Sequence, residues 1–423
     1  MKKILVIGSG GREHAICEQF KKSPQLEKLF CLPGNAGISE LAEIVSTIKI
    51  DEHQKIIDFC HHNKIDFVFV GPEQPLVAGL VDDLQQAKIR AFGPSKKAAQ
   101  LEGSKIFMKQ IAIDNAVPTA AYETFSNKEH AIKFAEKLGF PCVIKADGLA
   151  AGKGVIIAQN FDEALEAITE IFSGKFGEAG NKIIIEEFLD GFEASYFVIC
   201  DGHNFIPLGF AHDHKKVGEN DTGPNTGGMG TYAPSPFVNK KMEEEIINNM
   251  IKPTLHGLEK EGCAFLGILF AGLMIGNKGV KLLEYNARFG DPETQVILPR
   301  IKSDFIDLIE AAIEGNLDKI KVEFDESKKL VCVVMCANGY PDTYQKGTEI
   351  KNLEAARKIS DVKILHAGTA FSNDKIVANG GRVLNIIASA DSFKEARLKA
   401  YEAVDLIDWK EGFIRRDIAV KAE

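Results

Sequence analysis

The sequence predicts an α/β protein of several domains, the first of which is a doubly wound parallel sheet. The chain has 423 residues, enough for two to four domains at about 150 residues each. Its first hundred residues alternate short apolar runs with helical stretches, and glycine follows several of the runs, which is typical of such a sheet. With 45% hydrophobic and 26% charged residues, the composition is that of an ordinary globular protein.

The charge and hydropathy patterns disfavour nucleic acid and membranes as partners. The net charge is −9 and no long run of Lys or Arg occurs, so a broad basic surface is not expected. No apolar stretch approaches the about 20 residues of a membrane span. The apolar run at residues 4–7 is too short for a signal sequence. Eight cysteines without a CxxC motif indicate buried, reduced thiols, and we expect a cytoplasmic protein that acts on small molecules.

The predicted elements of the first domain, residues 1–102, place several loops at one edge of its sheet. Helices are expected at residues 12–22, 55–63 and 79–88, between strands KILVIG, KLFCLPG, IDFVFVGPE and IRAFGP. The carboxyl ends of parallel strands converge on one crevice, where ligands bind. The loops that follow these strands are therefore candidate ligand-binding segments.

A glycine-rich loop after the first strand is a candidate phosphate site. Gly8, Gly10 and Gly11 precede a helix, whose first amides suit a phosphate. A nicotinamide dinucleotide would require an acidic residue at the end of the second strand, but that strand ends CLPGN. The phosphate of another ligand is favoured, and a purely structural turn is the alternative. Asn35 and Glu73, in later Gly- and Pro-rich strand exits, suggest a small polar ligand beside the phosphate.

Two further domains are predicted, at residues 103–325 and 326–423. The first contains a compact lobe at about residues 118–190, in which helices and strands alternate around PCVIKA, VIIA and KIIIEEFL. A helix is expected later, at residues 241–261. The last domain has three β-like runs and a helix at residues 392–407, with its own hydrophobic pattern, and should be a small α+β unit.

A second glycine-rich loop, in the lobe, is a stronger phosphate candidate. Lys145 ends the strand PCVIKA, and Gly152, Lys153 and Gly154 follow it. Glycine amides and ammonium groups bind phosphate oxygens, so this loop and Lys105 should contact phosphates. The alternative for each lysine is an ordinary solvated side chain.

The acidic end of the strand KIIIEEFL is a candidate nucleoside site. The backbone of Glu186, Glu187, Phe188 and Leu189 could read an adenine, and the Glu193 carboxylate could accept hydrogen bonds from ribose hydroxyls. A solvated acidic edge is the alternative interpretation.

Glu284 and Asn286 form the most informative pair in the sequence. Being two residues apart on a predicted strand, they point to the same face. Magnesium is commonly held by one or two protein oxygens together with phosphate oxygens and water, and manganese accepts the same ligands. If the strand continues that far, Arg288 falls on that face too and could neutralise a transferring phosphoryl group. Structural ion pairs are the alternative.

The loop of residues 212–230 is long, polar and glycine-rich, which favours a functional role. His212 and His214 flank Asp213, so a zinc site is an alternative interpretation of this loop. No further His or Cys cluster supports zinc.

The motifs VIKADGLAAGKG, EEFLDGFEAS, GPNTGGMG and EYNARFGDPETQ, in this order, are similar to those of the ATP-grasp superfamily. With GSGGREHA, PGNAG and GPEQPLVAG, the chain resembles the phosphoribosylamine–glycine ligase family over essentially its whole length. The resemblance implies an N-terminal substrate domain, an ATP-grasp core of two α+β lobes, a small C-terminal α+β domain and a single ligase activity without fused downstream enzymes.

The family resemblance implies a reaction of purine biosynthesis. ATP, glycine and 5-phospho-D-ribosylamine give ADP, phosphate and glycinamide ribonucleotide through a glycyl phosphate. It also implies catalytic roles for Arg288, Lys145 and Asp213, with Mg²⁺ or Mn²⁺ on Glu284 and Asn286. ATP would contact Lys105, Lys145, Gly152, Lys153, Gly154, Glu186, Glu187, Phe188, Leu189 and Glu193. The other substrates would contact Gly8, Gly10, Gly11, Asn35, Glu73, Asp213, Gly228, Met229, Asp291, Pro292 and Glu293.

Three alternative functions remain open from the sequence. Another ATP-grasp carboxylate–amine ligase or a carboxylase would share the nucleotide motifs. A nicotinamide-dependent dehydrogenase is disfavoured by the missing acid after the second strand. A non-catalytic nucleotide sensor would not need Lys145, Glu284 and Asn286 together. No apolar interface stripe is evident, so a monomer is expected.

Overall fold

The computed structural model describes residues 1–149, 154–175 and 177–423. Their strands form one parallel sheet, two antiparallel sheets and two short hairpins, so the predicted α/β class is confirmed. No helix among these residues is both long and apolar enough to cross a membrane.

The N-terminal domain is a parallel sheet flanked by helices, as predicted. Its strand order within the described residues is β3-β2-β1-β4-β5. The central strand β1 carries Ile4 to Ile7 fully buried, because helices cover both faces of the sheet. The elements are β1 (Lys2–Gly8), α1 (Gly11–Lys21), β2 (Leu26–Pro33), β3 (Glu43–Ile44), α2 (His53–Asn63), β4 (Phe67–Val70), α3 (Glu73–Ala78), α4 (Leu80–Gln86) and β5 (Ala91–Phe92).

The next segment forms an antiparallel sheet with its own small core. The elements are α5 (Gln100–Gly103), α6 (Lys105–Asp114), β6 (Tyr122–Phe125), α7 (Lys128–Leu138), β7 (Cys142–Ala146), β8 (Val155–Ala158), α8 (Phe161–Glu170) and β9 (Ile183–Glu187). The described strands are ordered β6-β9-β7-β8. Helix α6 was not predicted; the Ser104 hydroxyl caps it by accepting a hydrogen bond from Phe107 N at 3.1 Å.

A long antiparallel sheet forms the base of the molecule. Its first part contains β10 (Phe192–Asp201), β11 (Phe205–Asp213), β12 (Lys216–Gly218), β13 (Thr222–Asn225), β14 (Gly230–Ala233), α9 (Lys240–Ile246), α10 (Lys252–Lys260), β15 (Leu266–Gly276), β16 (Gly279–Asn286), α11 (Thr294–Ile297) and α12 (Phe305–Ile313). Strands β12 and β13 form a separate hairpin that projects from this sheet between β11 and β14.

The C-terminal strands continue the same sheet instead of forming one of their own. They belong to β17 (Lys329–Ala337), α13 (Leu353–Arg357), β18 (Val362–His366), β19 (Thr369–Ser372), β20 (Lys375–Ala378), β21 (Arg382–Ala390), α14 (Phe393–Leu406) and β22 (Gly412–Phe413). The described order is β16-β15-β10-β11-β14-β17-β21-β18, with β22 beside β17. The β14–β17 pairing, which opposes Thr231 to Cys332, therefore connects the C-terminal segment rigidly to the rest.

Two buried histidines join the N-terminal and C-terminal parts. His14 on α1 and His366 on β18 have ring centroids 5.8 Å apart, and His366 N donates to His14 Nδ1 at 2.9 Å. The Asn35 amide donates to the carbonyls of Ser9 and His366, each at 2.8 Å. Burial is the main cause that lowers the pKa of His14 to about 3 and that of His366 to about 3.

All eight cysteines are reduced and buried, as the missing CxxC motifs predicted. Burial raises the pKa of the Cys142 and Cys263 thiols, and that of Cys336 to about 12. The thiolate, which is the reactive form, is therefore disfavoured in the folded chain.

The histidine pair predicts acid-sensitive stability. Their folded pKa of about 3 lies below the ordinary 6.5, so the stabilisation is complete above pH 6.5 and is lost between pH 6.5 and 3. The loss is about 1.4 kcal/mol per pH unit for each histidine that stays neutral. Chemical denaturation from neutral to acid pH measures it. The slope should shrink in His14→Asn and not in His256→Asn, an exposed site on α10; equal slopes in all three proteins would contradict the account.

Candidate functional site

A cavity of about 550 Å³ lies where the sheets meet. The predicted site residues among its lining come from every part of the chain before the C-terminal strands: Glu73, Lys105, Lys145, Gly154, Glu186, Glu187, Phe188, Leu189, Glu193, Asp213, Glu284, Asn286, Arg288, Asp291 and Glu293. The structure thus brings together side chains separated by more than two hundred positions in the sequence.

Some predicted residues are not in the lining. Gly152 and Lys153 lie outside the described residues. Met229 is fully buried; its thioether faces Cys336, its N–H donates to His214 O and its carbonyl accepts from Val334 N, so both its side chain and its backbone groups are engaged within the protein. The remaining predicted residues also lie outside the lining: Gly8, Gly10, Gly11, Asn35, Gly228 and Pro292.

Lys145 is held at one end of the cavity by a buried carboxylate. Its Nζ lies 3.0 Å from Glu186 Oε2 and donates to Leu283 O at 3.3 Å. The contact follows from sheet register, because β7 and β9 are antiparallel neighbours in which Val143 opposes Glu186. Lys105, the first residue of α6, donates to Gly148 O at 3.0 Å. Two ammonium groups therefore face the same end of the cavity.

The exit of β9 is the edge predicted for a nucleoside. Glu187 is tied to Lys281 by a 2.6 Å ion pair, and Phe188 is 39% exposed beside it. Glu193, just beyond, lies 3.2 Å from Lys215 Nζ through its Oε2. The edge therefore presents backbone groups and an exposed ring toward the cavity while its carboxylates are paired.

Glu284 and Asn286 lie together near the end of β16, opposite Gly272 and Phe270 of β15. Burial opposes ionisation of Glu284, but the charges of Lys215, Lys145 and Lys105 outweigh it and hold the Glu284 pKa below its ordinary value. A hydrogen bond with Asn286 acts in the same direction. The pair therefore presents an ionised carboxylate and an amide, the hard oxygen donors that suit Mg²⁺ or Mn²⁺.

The described residues contain no group of three His, Cys, Asp or Glu side chains placed to hold a metal ion by themselves. The two histidines weighed for zinc are engaged elsewhere. His212 Nδ1 is 2.9 Å from Glu193 O and its Nε2 is 2.6 Å from Ser235 Oγ, while His214 Nδ1 is 3.3 Å from Gly230 O. A cation at Glu284 would need further ligands from a nucleotide or water.

A cluster of carboxylates around Lys215 lies next to this pair. Burial raises the pKa of Asp213 to about 7. The negative charges of Glu293 and Glu193 raise this pKa further, whereas the positive charge of Lys215 lowers it. Burial likewise raises the pKa of Glu293. The Lys215 pKa is raised, chiefly by Glu193. This end of the cavity therefore has an excess of negative groups around one ammonium, an environment suited to a second cationic ligand.

Arg288 is oriented by two carboxylates. Its Nη2 donates to Glu102 Oε1 at 2.7 Å and its Nε to Glu73 Oε2 at 3.1 Å. Burial opposes ionisation of Glu73, but Arg288 and Arg12 outweigh it and lower the Glu73 pKa to about 2. Glu73, which the sequence suggested as a ligand contact, lines the cavity and also pairs with Arg288 in the structure.

The first glycine-rich loop donates its amides to carboxylates. Gly10 N donates to Glu13 Oε2 at 2.6 Å, and Arg12 N to Asp291 Oδ2 at 3.4 Å. Gly8 has a φ of +128°, and a Cβ there would lie 2.4 Å from Glu13 Cγ, so glycine is required at this position. The loop does present anion-binding amides, and internal carboxylates use two of them here.

Several cavity residues were missed by the sequence analysis. From the C-terminal part, Arg382 Nη1 donates to the carbonyls of Gly227 and Asp291, each at 2.5 Å, and the Tyr340 hydroxyl accepts from Gly227 N at 3.0 Å. Lys215 could have been found, because it follows Asp213 by two residues. Nothing local distinguished Glu102, Tyr340 or Arg382.

Comparison with known proteins agrees with this architecture. Three models of the phosphoribosylglycinamide synthetase family match: the N domain over residues 2–102, the ATP-grasp (A) domain over 103–294 and the C domain over 330–421. The chain is 52% identical over 420 residues to a phosphoribosylamine–glycine ligase of Brucella melitensis, spanning 99% of this chain and 98% of that protein. The corresponding Caldanaerobacter subterraneus protein is 49% identical, spanning 99% of each.

Solved structures give the same result. The crystal structure of phosphoribosylamine–glycine ligase from Thermotoga maritima superposes with a TM-score of 0.85 at 34% identity, covering 98% of this chain and 99% of that one. A biotin carboxylase domain from Hydrogenobacter thermophilus, at 16% identity, has a TM-score of 0.75 over 97% of this chain and 91% of that one, which shows a shared fold alone. On sequence and structure together, the chain belongs to the phosphoribosylamine–glycine ligase family of ATP-grasp enzymes.

Proposed function

We propose that the cavity joins glycine to 5-phospho-D-ribosylamine with the cleavage of ATP to ADP and phosphate, through a glycyl phosphate. The observation that carries the proposal is that one cavity contains two ammonium groups at one end, an ionised Glu284 beside Asn286, and a separate acidic cluster around Lys215. These are the groups needed for a polyphosphate, its metal ion and an amino acid ammonium. The division into domains at residues 1–102, 103–325 and 326–423 is part of the proposal.

ATP lies with its phosphates against Lys105 and Lys145. Both ammonium groups face the same end of the cavity, and Lys145 is fixed by Glu186 at 3.0 Å, so its charge is positioned before ATP arrives. The adenine contacts the backbone at Glu186 to Leu189, and the ribose contacts Glu193, which is 45% exposed. Gly152, Lys153 and Gly154 stay predicted phosphate contacts.

Mg²⁺ or Mn²⁺ is held by Glu284 and Asn286, whose donor chemistry fits either ion. A biotin carboxylase domain of the same fold was solved in complex with MgADP. The ion supplies neutralisation of charge on the phosphate oxygens. The nearby lysines keep Glu284 ionised and so keep it competent to bind a cation.

Glycine binds with its ammonium at Asp213 and Glu293 and its carboxylate toward the ATP phosphates. A carboxylate oxygen attacks the γ-phosphorus, the bond to the β–γ bridging oxygen breaks, and ADP leaves. Arg288, held by Glu73 and Glu102, faces the charge that develops on the phosphoryl group. The alignment of reactants can contribute roughly 7–11 kcal/mol to such a step.

The sugar amine then completes the reaction. Its nitrogen attacks the glycyl carbonyl carbon, the bond from that carbon to the phosphate oxygen breaks, phosphate leaves, and the nitrogen loses one proton. The ribosyl phosphate lies toward Gly8, Gly10 and Gly11, with Asn35 shaping their loop and Asp291, Pro292 and the Gly228–Met229 backbone forming the adjoining wall. That the protein is a monomer and is located in the cytoplasm remains a prediction.

ADP release by the purified protein tests the reaction. It should require glycine, phosphoribosylamine and Mg²⁺ together, because each ligand has its own part of the cavity. A coupled assay with each component omitted in turn measures the requirement. ADP formed with bicarbonate in the absence of glycine would instead support a carboxylase and contradict the proposal.

Lys145→Ala and Glu284→Ala should each lower kcat by about 100-fold or more, since each removes a charge that opposes phosphate charge in the transition state. Steady-state kinetics and a melting curve separate loss of activity from loss of fold. The matched controls Lys346→Ala and Glu411→Ala are exposed and outside the cavity, and should retain activity. Near-normal kcat in either cavity variant would remove that residue from its role.

The raised pKa of Asp213, about 7, predicts that kcat/KM for glycine decreases as the pH falls below 7. Below pH 7 Asp213 takes up a proton and loses its attraction for an ammonium, so kcat/KM for glycine should fall about tenfold per pH unit. Asp213→Asn should be low and flat over the same range, while the exposed control Asp162→Asn should keep the wild-type profile. If the same decrease of kcat/KM below pH 7 persists in Asp213→Asn, another group causes it.

A further inference from the structure

Lys109 is a charged side chain with no solvent exposure and no part in the mechanism above. Burying an ammonium is costly unless it is paired and hydrogen-bonded. Its Nζ donates to Thr119 Oγ1 at 2.7 Å, lies 5.1 Å from the centre of the Tyr122 ring, and is 3.2 Å from Glu186 Oε1. Lys109 is on α6, outside the sheet that contains Glu186, so this contact crosses between elements.

Glu186 is shared between two lysines. It is 2% exposed; Oε1 faces Lys109, and Oε2 faces Lys145 Nζ at 3.0 Å. Only Lys145 reaches the nucleotide end of the cavity, where it lies with Lys105. The three side chains thus form a chain of charges from the interior of the lobe to the cavity wall.

The orientation of Lys145 depends on Lys109 as well as on Glu186. If an apolar side chain replaced Lys109, Oε1 would be a buried acceptor beside an apolar group, and the carboxylate would turn to satisfy both oxygens at Lys145. Lys145 would then be drawn toward the protein and away from the cavity. The ammonium on Lys109 prevents this by holding the other oxygen.

We propose that Lys109 is a positioning residue for the ligase reaction, which fixes the Glu186 carboxylate so that Glu186 holds Lys145 Nζ toward the ATP phosphates. This rests on the phosphate role proposed for Lys145. Burial lowers the pKa of Lys109 to about 8, with Glu186 opposing and Lys145 assisting, so the ammonium form predominates at neutral pH.

A double-mutant cycle tests the route through Glu186. Lys109→Met should raise KM for ATP about tenfold, because the buried ion pair that positions Glu186 is lost, with KM for glycine changed less than about twofold. In a Glu186→Gln background, the same change should add less than about twofold to KM for ATP. Melting curves of all four proteins show whether the variants are folded.

Two results overturn the inference: an unchanged KM for ATP in folded Lys109→Met, or an equal effect of that change in the Glu186→Gln background. If Lys109→Met does not fold, Thr119→Val removes an acceptor of the ammonium while keeping the charge. It should raise KM for ATP by a smaller factor, and only when Glu186 is present; no rise, or a rise that persists with Glu186→Gln, overturns the inference. Wild-type ADP release that lacks glycine dependence would instead defeat the proposed function.

Discussion

The pairing of buried charges is the constraint on which the rest of this structure depends. The cavity wall contains more ionisable groups than a protein interior tolerates singly, because an isolated buried charge costs several kcal/mol. Several are therefore placed against a partner from another element: Arg288 with Glu73 and Glu102, and Glu186 with Lys109 and Lys145. Domain packing and site geometry are two results of the same requirement.

This pairing also explains why the cavity is ready for polar ligands before they bind. Side chains that are already held by charged partners lose little freedom when a ligand arrives, and they need not reorient as charge develops. The continuous antiparallel sheet extends that rigidity to the C-terminal segment. Because β17 pairs with β14, Arg382 is fixed beside Gly227 and Asp291, and the C-terminal part becomes a wall of the cavity.

Much of the fold and part of the site could be predicted from the sequence. The strand and helix alternation identified the parallel domain, and the helix predicted at residues 55–63 lies within α2 (His53–Asn63). Glu284 and Asn286 were recognisable because a strand places alternate residues on one face, whereas β16 ends at Asn286 and Arg288 lies beyond it. The family resemblance supplied the substrates, which no local pattern contained.

The remaining residues depend on contacts between distant segments. Lys109 has the appearance of an ordinary helix-surface lysine, and its burial arises only when β9 brings Glu186 against α6. Glu102 is the last residue of the predicted first domain, yet its carboxylate accepts a hydrogen bond from Arg288, which lies 186 positions away in the sequence. The continuous sheet was missed for the same reason, since β14 and β17 each look like independent strands until they pair.

The eight buried thiols can report local unfolding of this chain. Every sulfhydryl lies in a core, from Cys17 and Cys31 in the first domain to Cys332 and Cys336 in the last. A water-soluble alkylating reagent therefore reaches a given thiol when the surrounding core opens, and the site of labelling identifies which core has opened. The native protein thus carries a set of position-specific markers of local unfolding without any engineered label.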